Sequence, residues 1–360
     1  MSEARRILYV ASSMRHINSF HRDYIAALRD GGATVDVLAR GEGADFDIPF
    51  EKKLFSLGNT KCRKEIREII KKGNYDAILL NTSLAAFHVR LACPRKNRPR
   101  IVNLVHGYLF SEEVGRIKSL LLRLAERMVK GKTDAIITMN EYDLDYATRK
   151  KLTRGRVYAS RGMGVTLRES ISSPESLRSE FMGDGKLVFA FVGELSGRKN
   201  QEFLIRSHAE LVKEIPNAVL WLIGDGDARE SLEALSRELS VSESVIFVGQ
   251  RADACDFIRA CDVYVSASMI EGLPFNILEA LGAGKTVIAS RIKGHVDLIE
   301  DKVSGYLYAF RDTGAYLSLA KRVASGEIIS PEKAIEVFKK YEREVVFPET
   351  LATIKEALDG

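Results

Sequence analysis

The sequence has few cysteines and no long apolar stretch. Only four of its 360 residues are cysteines, none belongs to a C-x-x-C pair, and none is close enough to a histidine to suggest a zinc site. We therefore expect reduced thiols in the core. No segment approaches the roughly 20 apolar residues of a membrane-spanning helix, and the N-terminus lacks the features of a secretory signal. These absences predict a cytoplasmic protein with at most a peripheral contact to the inner face of a membrane.

A strong excess of charge of one sign is also missing. The 54 Lys and Arg residues against 49 Asp and Glu leave a formal net charge of +5. This balance is too weak for a dedicated nucleic-acid-binding protein, so no nucleic-acid partner is expected. Hydrophobic residues make up 46% of the chain, which excludes a disordered or fibrous protein. At roughly 150 residues per domain, the length predicts about two domains.

Short β-branched runs alternate with amphipathic stretches in the first half of the chain, as in βαβ units around a parallel sheet. Polar residues 12–18 are read as a loop after the first strand. The predicted strands are Arg6–Ala11, Thr34–Leu38, Ala77–Leu80, Ile101–Val105 and Ala135–Thr138, and the predicted helices are Phe20–Arg29, Cys62–Lys71, Ser83–Leu91, Val114–Val129 and Glu141–Lys150. Residues 1–165 are therefore predicted to form one doubly wound domain.

A second round of the same pattern follows a Gly- and Ser-bearing linker at residues 162–173. The predicted strands are Leu187–Val192, Val219–Ile223, Val245–Val248, Val263–Ser266 and Thr286–Ala289, and the predicted helices are Gln201–Glu214, Ala228–Leu239, Ala252–Ala260, Pro274–Leu281 and one near Val296–Ile299. Residues 166–340 form this domain. A last helix, Pro348–Leu358 within residues 341–360, either caps it or returns to the first domain. The prediction is an α/β protein with two Rossmann-like domains and a ligand crevice at the carboxyl ends of their strands, where the sheets face each other.

The segment SASMIEGLPFNILEALGAG carries the strongest local signal for a binding site. Glu271 lies in a loop after a predicted strand, Pro274 suits the first turn of a helix, and Glu279 lies in that helix. The start of the helix would suit a pyrophosphate. Two such carboxylates taken alone are more often solvated surface groups. FAFVGELSGRKN, with adjacent Arg198 and Lys199 after another strand, supplies cations that would neutralise a diphosphate.

These segments resemble the nucleotide-sugar-binding domain of glycosyltransferase family four, whose members have the GT-B fold and retain the anomeric configuration. VGELSGRKNQEFLI, WLIGDGDARESLEAL, IFVGQRADACDFIRACDVYVSAS and EGLPFNILEALGAGKTVIAS occur in the order and spacing of that family. RILYVASSMRHINSFHRDYIAALRDGGATVDVLA and VNLVHGYLF resemble the first domain of its capsule and exopolysaccharide members.

The resemblance implies roles for individual residues of the second domain. Glu279 would hold the ribose hydroxyls, Glu271 the donor-sugar hydroxyls and Lys199 the diphosphate. Many members carry arginine where this sequence has Glu194, so Arg198 is the candidate for the second positive charge. The implied donor-binding set is Gly193, Arg198, Lys199, Gly224, Gln250, Arg251, Glu271, Gly272, Leu273, Pro274, Phe275 and Glu279.

In the first domain, His106 matches a family histidine that faces the donor sugar, and with Glu271 and Lys199 it forms the implied catalytic set. Arg15, His16 and Thr82 are expected on the acceptor side, although capping of a helix is an equally good role for Thr82. The resemblance implies no metal or cofactor. Asp225-Gly226-Asp227 has the form of a D-x-D motif but stands where the family has a glycine turn, so we do not interpret it as a metal site.

The implied reaction moves a sugar with retention from a nucleotide diphosphate, with UDP favoured, to a lipid-linked glycan or a polysaccharide. The leaving phosphate would accept the proton of the incoming hydroxyl, unlike the paired carboxylates of retaining glycosidases. A non-catalytic nucleotide-sugar or glycan-binding scaffold and a GT-B nucleotide-sugar epimerase remain alternatives. A dinucleotide oxidoreductase is disfavoured because the first βα turn, SSMRHINS, contains no glycine.

Residues 90–132 are a candidate surface for an anionic membrane. They contain eleven basic and three acidic residues, and apolar residues recur at helical spacing within them, namely Ile117, Leu120, Leu121, Leu124, Met128 and Val129. Such a helix either lies on a bilayer or packs its apolar face into the core with a solvated basic face. The sequence leaves both interpretations open.

Overall fold

The structure is a computed structural model and describes residues 4–51, 54 and 56–360. The chain divides into two compact units. The second unit is Val165–Glu342, and the first comprises the chain up to Gly164 together with Arg343–Gly360. The division falls inside residues 162–173, which the sequence indicates as a linker. Each unit is a parallel sheet with helices packed on it, which confirms the predicted α/β class of two Rossmann-like domains.

The first unit is built on a seven-stranded sheet in the order β3-β2-β1-β4-β5-β6-β7, with every pairing parallel. Its strands are β1 (Arg6–Val10), β2 (Thr34–Ala39), β3 (Phe46–Asp47), β4 (Ala77–Leu80), β5 (Arg100–Val105), β6 (Ala135–Thr138) and β7 (Val157–Ala159). Its helices begin with α1 (Met14–Phe20), α2 (Arg22–Asp30), α3 (Leu57–Gly73), α4 (Ser83–Ala92), α5 (Arg116–Val129) and α6 (Glu141–Arg149). The strand order reverses between β1 and β4, and parallel sheets bind ligands outside the carboxyl ends of the strands at such a point.

The second unit repeats the plan with six parallel strands in the order β10-β9-β8-β11-β12-β13. Its strands are β8 (Leu187–Val192), β9 (Ala218–Ile223), β10 (Val245–Gly249), β11 (Val263–Ser266), β12 (Thr286–Ser290) and β13 (Tyr306–Tyr308). Its helices are α7 (Pro174–Glu180), α8 (Gln201–Glu214), α9 (Arg229–Glu238), α10 (Ala254–Ala260), α11 (Phe275–Gly282), α12 (Thr313–Ala324) and α13 (Pro331–Lys339). Here the order reverses between β8 and β11.

The strands of both sheets are apolar because helices cover both faces. Every residue of β9 is buried, including the single tryptophan, Trp221, whose indole N–H donates to the Phe181 carbonyl oxygen at 2.8 Å. Two apolar clusters, one on each face, form the core of the second unit. The sheet is thus a rigid platform for the loops at its edges.

The last helix, α14 (Arg343–Asp359), packs on the first unit, which resolves the question that the sequence left open. It lies against β5, β6 and α2. The Arg100 guanidinium donates to the Ala357 carbonyl oxygen at 2.7 Å, and the Thr350 hydroxyl donates to the Gly162 carbonyl oxygen at 2.8 Å. The helix begins earlier than predicted and contains Pro348.

Two local predictions were wrong. Residues 12–18 are not a loop throughout, because α1 begins at Met14, where the Ser13 hydroxyl caps it by accepting from the His16 N–H. The predicted helix near Val296–Ile299 is a set of turns. Gly294 has a φ of +83° there, which interrupts regular helical geometry just before the segment.

Candidate functional site

The loops after β8 and β11 meet at the strand-order reversal of the second unit. Lys199, which follows β8, places its Nζ 2.6 Å from Glu271 Oε1, and Arg198 Nη1 lies 3.1 Å from Glu271 Oε2. The Met269 N–H also donates to the Arg198 carbonyl oxygen at 2.9 Å. The side chains of Lys199 and Glu271 are 11% and 9% exposed, so the central ion pair is largely withdrawn from water. The structure therefore brings together three residues that the sequence analysis assigned to the donor site.

The charges of this cluster determine its protonation. Burial alone would raise the pKa of Glu271, but Lys199 and Arg198 favour the carboxylate and lower its pKa from 4.5 to about 2. Glu271 is thus ionised at neutral pH. Its two cationic neighbours offer a site for another anion if the carboxylate turns to a different partner.

The side chain of Asn276 and the glycine at position 294 allow the surrounding loops to pack closely. Asn276, in the first turn of α11, donates from Nδ2 to the Val192 carbonyl oxygen at 2.7 Å, so the start of α11 lies beside the end of β8. Its first turn, the positive end of the helix dipole, therefore lies beside the Lys199 loop. A Cβ on Gly294 would lie 2.9 Å from both Glu271 Cβ and the Gly272 carbonyl oxygen, so only glycine fits against the Glu271 loop.

Another glycine permits a close approach of two strand ends. Gly224, after β9, has a φ of +134°, and a Cβ on it would lie 2.0 Å from the Gly193 carbonyl oxygen after β8. Both glycines belong to the predicted donor set. Their role in the described structure is to let the two loops pack directly against each other.

Glu279 lies on α11 in a different electrostatic environment. Its pKa is raised because burial disfavours the charge, although a hydrogen bond from the Cys255 thiol and the charges of Arg168 and Arg259 oppose the rise. Burial likewise raises the pKa of Cys255 to about 12, so this residue is a thiol and not a thiolate at neutral pH. The pairing of a thiol donor with Glu279 was not foreseen from the sequence, which indicated only core thiols.

The remaining predicted donor residues lie on the same edge. Gln250 is exposed after β10, while Arg251 is held by Asp253 at 2.8 and 2.9 Å and lies over the ring of Phe257. Arg251 is thus anchored through its side chain. Gly272, Leu273 and Pro274 form the loop into α11 and Phe275 is its first residue, with Leu273 and Phe275 packed on the core.

His295 is a neighbour of the site that the sequence analysis missed. It is fully buried, its Nδ1 lies 2.7 Å from the Ser290 carbonyl oxygen, and its Nε2 lies 3.3 Å from Ser266 Oγ. Burial lowers its pKa to about 4, against the opposing effect of the Glu271 charge. Its position just after the strand β12, at the same sheet edge as Glu271, was the available signal.

In the first unit, three histidines form a cluster at the carboxyl ends of β1 and β5. His106 follows β5 directly, and its ring centroid lies 4.7 Å from that of His16 and 4.9 Å from that of His21. His21 Nε2 lies 3.1 Å from His16 Nε2, and His21 Nδ1 lies 2.8 Å from the Tyr9 hydroxyl. Burial lowers the pKa of all three histidines, that of His16 to about 4. The imidazoles are therefore uncharged at neutral pH.

The other predicted acceptor-side residues lie near the same edge. Arg15 is exposed on α1. Thr82 occupies the N-cap position of α4, but its hydroxyl accepts from the Ser12 N–H at 2.9 Å and not from its own helix. The Thr82 hydroxyl thus connects the loops after β1 and β4, at the strand-order reversal of the first unit.

Helix α5 exposes most of its large apolar residues. The exposed residues are Ile117, Leu120, Leu121, Leu124 and Met128. The opposite face, with Ala125, Val129 and the buried Arg90–Glu126 ion pair, packs inward. Only Val129 of the six members of the apolar row is buried, so the row as a whole does not face the core of the first unit. Across the described ranges, no helix is long and apolar enough to cross a membrane.

Comparisons with known proteins agree with this architecture. Residues 19–159 match the model of glycosyltransferase family 4, and residues 172–344 match that of glycosyl transferases group 1. The chain is 29% identical over 327 residues to the putative glycosyltransferase EpsD of Bacillus subtilis (strain 168), a match that covers 87% of this chain and 85% of EpsD. It is 22% identical to an Escherichia coli UDP-Gal:α-D-GlcNAc-diphosphoundecaprenol α-1,3-galactosyltransferase over 84% of this chain and 80% of that enzyme.

Solved structures show the same fold. HepE of Anabaena in complex with UDP and glucose superimposes with a TM-score of 0.76 at 21% identity, covering 98% of this chain and all of HepE. The sucrose-phosphate synthase of Thermosynechococcus elongatus gives a TM-score of 0.78 at 18% identity, covering 98% of each chain. The expected GT-B fold is confirmed. With both domain models matched in order, the chain belongs to the glycosyltransferases that join a family 4 first domain to a group 1 second domain.

Proposed function

We propose that this glycosyltransferase transfers a sugar, with retention of configuration, from a UDP-linked donor to a lipid-linked glycan or a growing polysaccharide. The observation that supports this most is the cluster at the strand-order reversal of the second unit, in which Arg198 joins the buried ion pair of Lys199 and Glu271. It combines two cations for a diphosphate with a carboxylate that accepts hydrogen bonds from sugar hydroxyls.

Donor binding exchanges the partners of this cluster. The donor diphosphate takes Lys199 and Arg198 from Glu271, and the released carboxylate accepts from hydroxyls of the sugar. The same two cations then stabilise the charge that grows on the leaving diphosphate, aided by the positive end of α11. No metal is needed for that task, and the proton of the incoming hydroxyl passes to a phosphate oxygen of the leaving group.

The choice of UDP as the donor nucleotide is based on what is described for related proteins. HepE is described in complex with UDP and glucose, and the galactosyltransferase from Escherichia coli uses UDP-Gal by its name. In this proposal Glu279, on α11, accepts from the ribose hydroxyls; the Cys255 thiol and the charge of Arg168 already act on its carboxyl group. Gln250 and Arg251, after β10, lie on the edge where the base would be placed.

The proposal of a lipid-linked acceptor is supported by helix α5 and by the name of the galactosyltransferase from Escherichia coli, which acts on a diphosphoundecaprenol-linked sugar. The exposed charged residues of α5 and its end are the cations Arg116, Lys118, Arg127 and Lys130, while its acidic residue, Glu126, is buried. Apolar side chains between cations suit the surface of an anionic bilayer. We infer that α5 docks the enzyme on the membrane that holds its acceptor.

A transfer assay tests the proposal. The purified enzyme is incubated with UDP-hexoses and a polyprenyl-diphosphate-linked monosaccharide in anionic vesicles, and the anomeric configuration of the product is read by NMR. We expect a new glycoside with the configuration of the donor. An inverted product would contradict the retaining mechanism. Epimerised donor without any acceptor would favour an epimerase, and donor binding without turnover on any acceptor would favour a scaffold.

A further inference from the structure

The cluster of His16, His21 and His106 has the composition of a metal site. Their three candidate ligand nitrogens all lie within 4.8 Å of one another. They come from separate elements: His16 from α1, His21 from the junction between α1 and α2, and His106 from the end of β5. Three histidines are the protein ligands of one known type of zinc site.

The distances fit ligands of one ion. Two nitrogens that are each about 2.0–2.1 Å from a tetrahedral zinc ion lie roughly 3.3–3.4 Å apart. His16 Nε2 and His21 Nε2 are 3.1 Å apart. A small rotation of His106, whose ring stands edge-on to both others, would bring its nitrogen to the same spacing.

The hydrogen bonds around the cluster support the same interpretation. The Tyr9 hydroxyl lies 2.8 Å from His21 Nδ1, so an N–H at Nδ1 leaves the Nε2 lone pair directed at the other two rings. Metal-binding histidines are commonly oriented by such an outer partner. His106 Nε2 is buried and has no hydrogen-bond partner in the described structure. A cation at the centre of the cluster would satisfy this nitrogen.

We propose that His16, His21 and His106 bind one divalent transition-metal ion of the zinc class, with Tyr9 as the outer residue that orients His21. Three neutral nitrogens without a sulfur or carboxylate ligand favour zinc and its neighbours over magnesium or calcium. Three protein ligands leave a fourth position open, because His16 and His106 are partly accessible. That position takes water or a hydroxyl oxygen of a molecule bound at this edge. This site is separate from the proposed diphosphate site, which needs no metal.

The test uses the untagged full-length chain, treated with a chelator and then titrated with Zn²⁺ and Co²⁺ in competition with a coloured chelator. We expect about one ion per chain, a tetrahedral cobalt absorption spectrum, and a higher melting temperature with zinc. His21→Asn and His106→Asn should lose the cobalt spectrum. Tyr9→Phe should retain it with roughly 10–100-fold weaker affinity, the usual effect of losing an outer partner.

His208→Asn is the matched control, since His208 is a buried histidine whose Nε2 lies 3.0 Å from Ser244 Oγ. It should bind metal like the original chain. A wild-type protein without stoichiometric zinc or a tetrahedral cobalt spectrum would overturn the proposal. An equal loss of affinity in His208→Asn would do the same. If a ligand variant does not fold, the wild-type spectrum and the Tyr9→Phe affinity decide the question.

Discussion

The two units place buried polar groups at corresponding edges of their sheets but stabilise them in opposite ways. At the edge of the second unit, Glu271 is buried as an ion and pairs with Lys199 and Arg198. At the edge of the first unit, the buried His21 and the partly buried His16 and His106 are neutral rings. Because burial disfavours charge unless an opposite charge is close, the second edge is suited to a polyanion and the first to uncharged or metal ligands.

The surfaces of the two units extend this difference. The first unit exposes the apolar and basic side chains of α5, which suits contact with a lipid surface. The second unit exposes no comparable row on any helix in its described residues, where exposed large apolar side chains are scattered singly, as at Ile171 and Ile328. In the proposed function, this difference corresponds to donor chemistry at the second unit and to acceptor and membrane contact at the first.

The largest expected effect comes from Lys199→Met. This change removes the cation closest to Glu271 and, in the proposed mechanism, the main stabiliser of the leaving diphosphate. We expect transfer from a UDP-sugar to fall by roughly 100–1,000-fold, as for other groups that stabilise developing charge. Lys213→Met, at an exposed position in the neighbouring helix α8, is the control and should keep full turnover. Equal transfer rates for both variants would contradict the proposal that the donor diphosphate binds at the edge of the second sheet.

The pH dependence of the free energy of unfolding distinguishes Glu271 from Glu279, because their pKa values are shifted in opposite directions. The pKa of Glu271 is lowered from 4.5 to about 2, so its ion pairs stabilise the fold above about pH 4.5, and this contribution is lost as the pH falls toward 2. The lowering corresponds to roughly 3 kcal/mol. Urea unfolding should show Glu271→Gln destabilised at pH 7, with the difference from wild type shrinking in acid.

Glu279→Gln is the matched variant of opposite sign. Since the pKa of Glu279 is raised, its ionisation costs stability as the pH rises past the unfolded value of 4.5. Replacing it should therefore be less harmful at pH 7 than at low pH. The same direction of pH dependence in both variants would contradict the contrast between the two sites.

Helix α5 should show a smaller effect on vesicle binding. Each cation near an anionic bilayer contributes about 1 kcal/mol, so Lys118→Gln with Arg127→Gln should weaken binding roughly 30-fold. Sedimentation with phosphatidylglycerol vesicles measures this, and Lys213→Gln serves as the control. High salt should release the wild-type protein, because screening weakens the attraction. Binding that resists both salt and the double substitution would exclude the electrostatic docking.

The smallest expected effect is at Cys255. Cys255→Ala removes the thiol that donates to Glu279, while Cys255→Ser supplies a hydroxyl in its place. A hydrogen bond to a carboxylate contributes about 1.5–3 kcal/mol at most, and the partial access of this site reduces it, so we expect UDP affinity to fall several-fold in the alanine variant. The serine variant should be close to wild type. If both variants bind UDP with the same affinity, Cys255 has no part in the site.

The sequence predicted most of the long, strongly patterned elements, but it missed the helices α7, α12 and α13. The runs of β8 and β9 are continuous and apolar, and both strands lie where expected. The short edge strands β3 and β13 were missed because two or three residues carry no periodic signal. Helix α1 was missed because its polar residues hide the one buried position, Ile17.

The candidate site was predictable in its residues but not in its pairings. Motif spacing identified Lys199 and Glu271, yet their ion pair joins positions 72 residues apart and depends on the order of the strands. His16 and His106 were each singled out, but their meeting with His21 requires the fold of α1, which the sequence analysis read as a loop. Burial, which lowers the pKa of each of the three histidines, is a property of the folded chain alone.

The most direct test of the central claim is calorimetric titration of the protein with UDP, GDP and ADP, repeated with Glu279→Ala. We expect selective binding of UDP to the wild-type protein and loss of this binding in the variant, with the UDP affinity of His208→Asn unchanged. A folded wild-type protein that binds none of the three nucleotides, or a Glu279→Ala protein that binds UDP as tightly as wild type, would contradict the placement of the donor at the edge of the second unit.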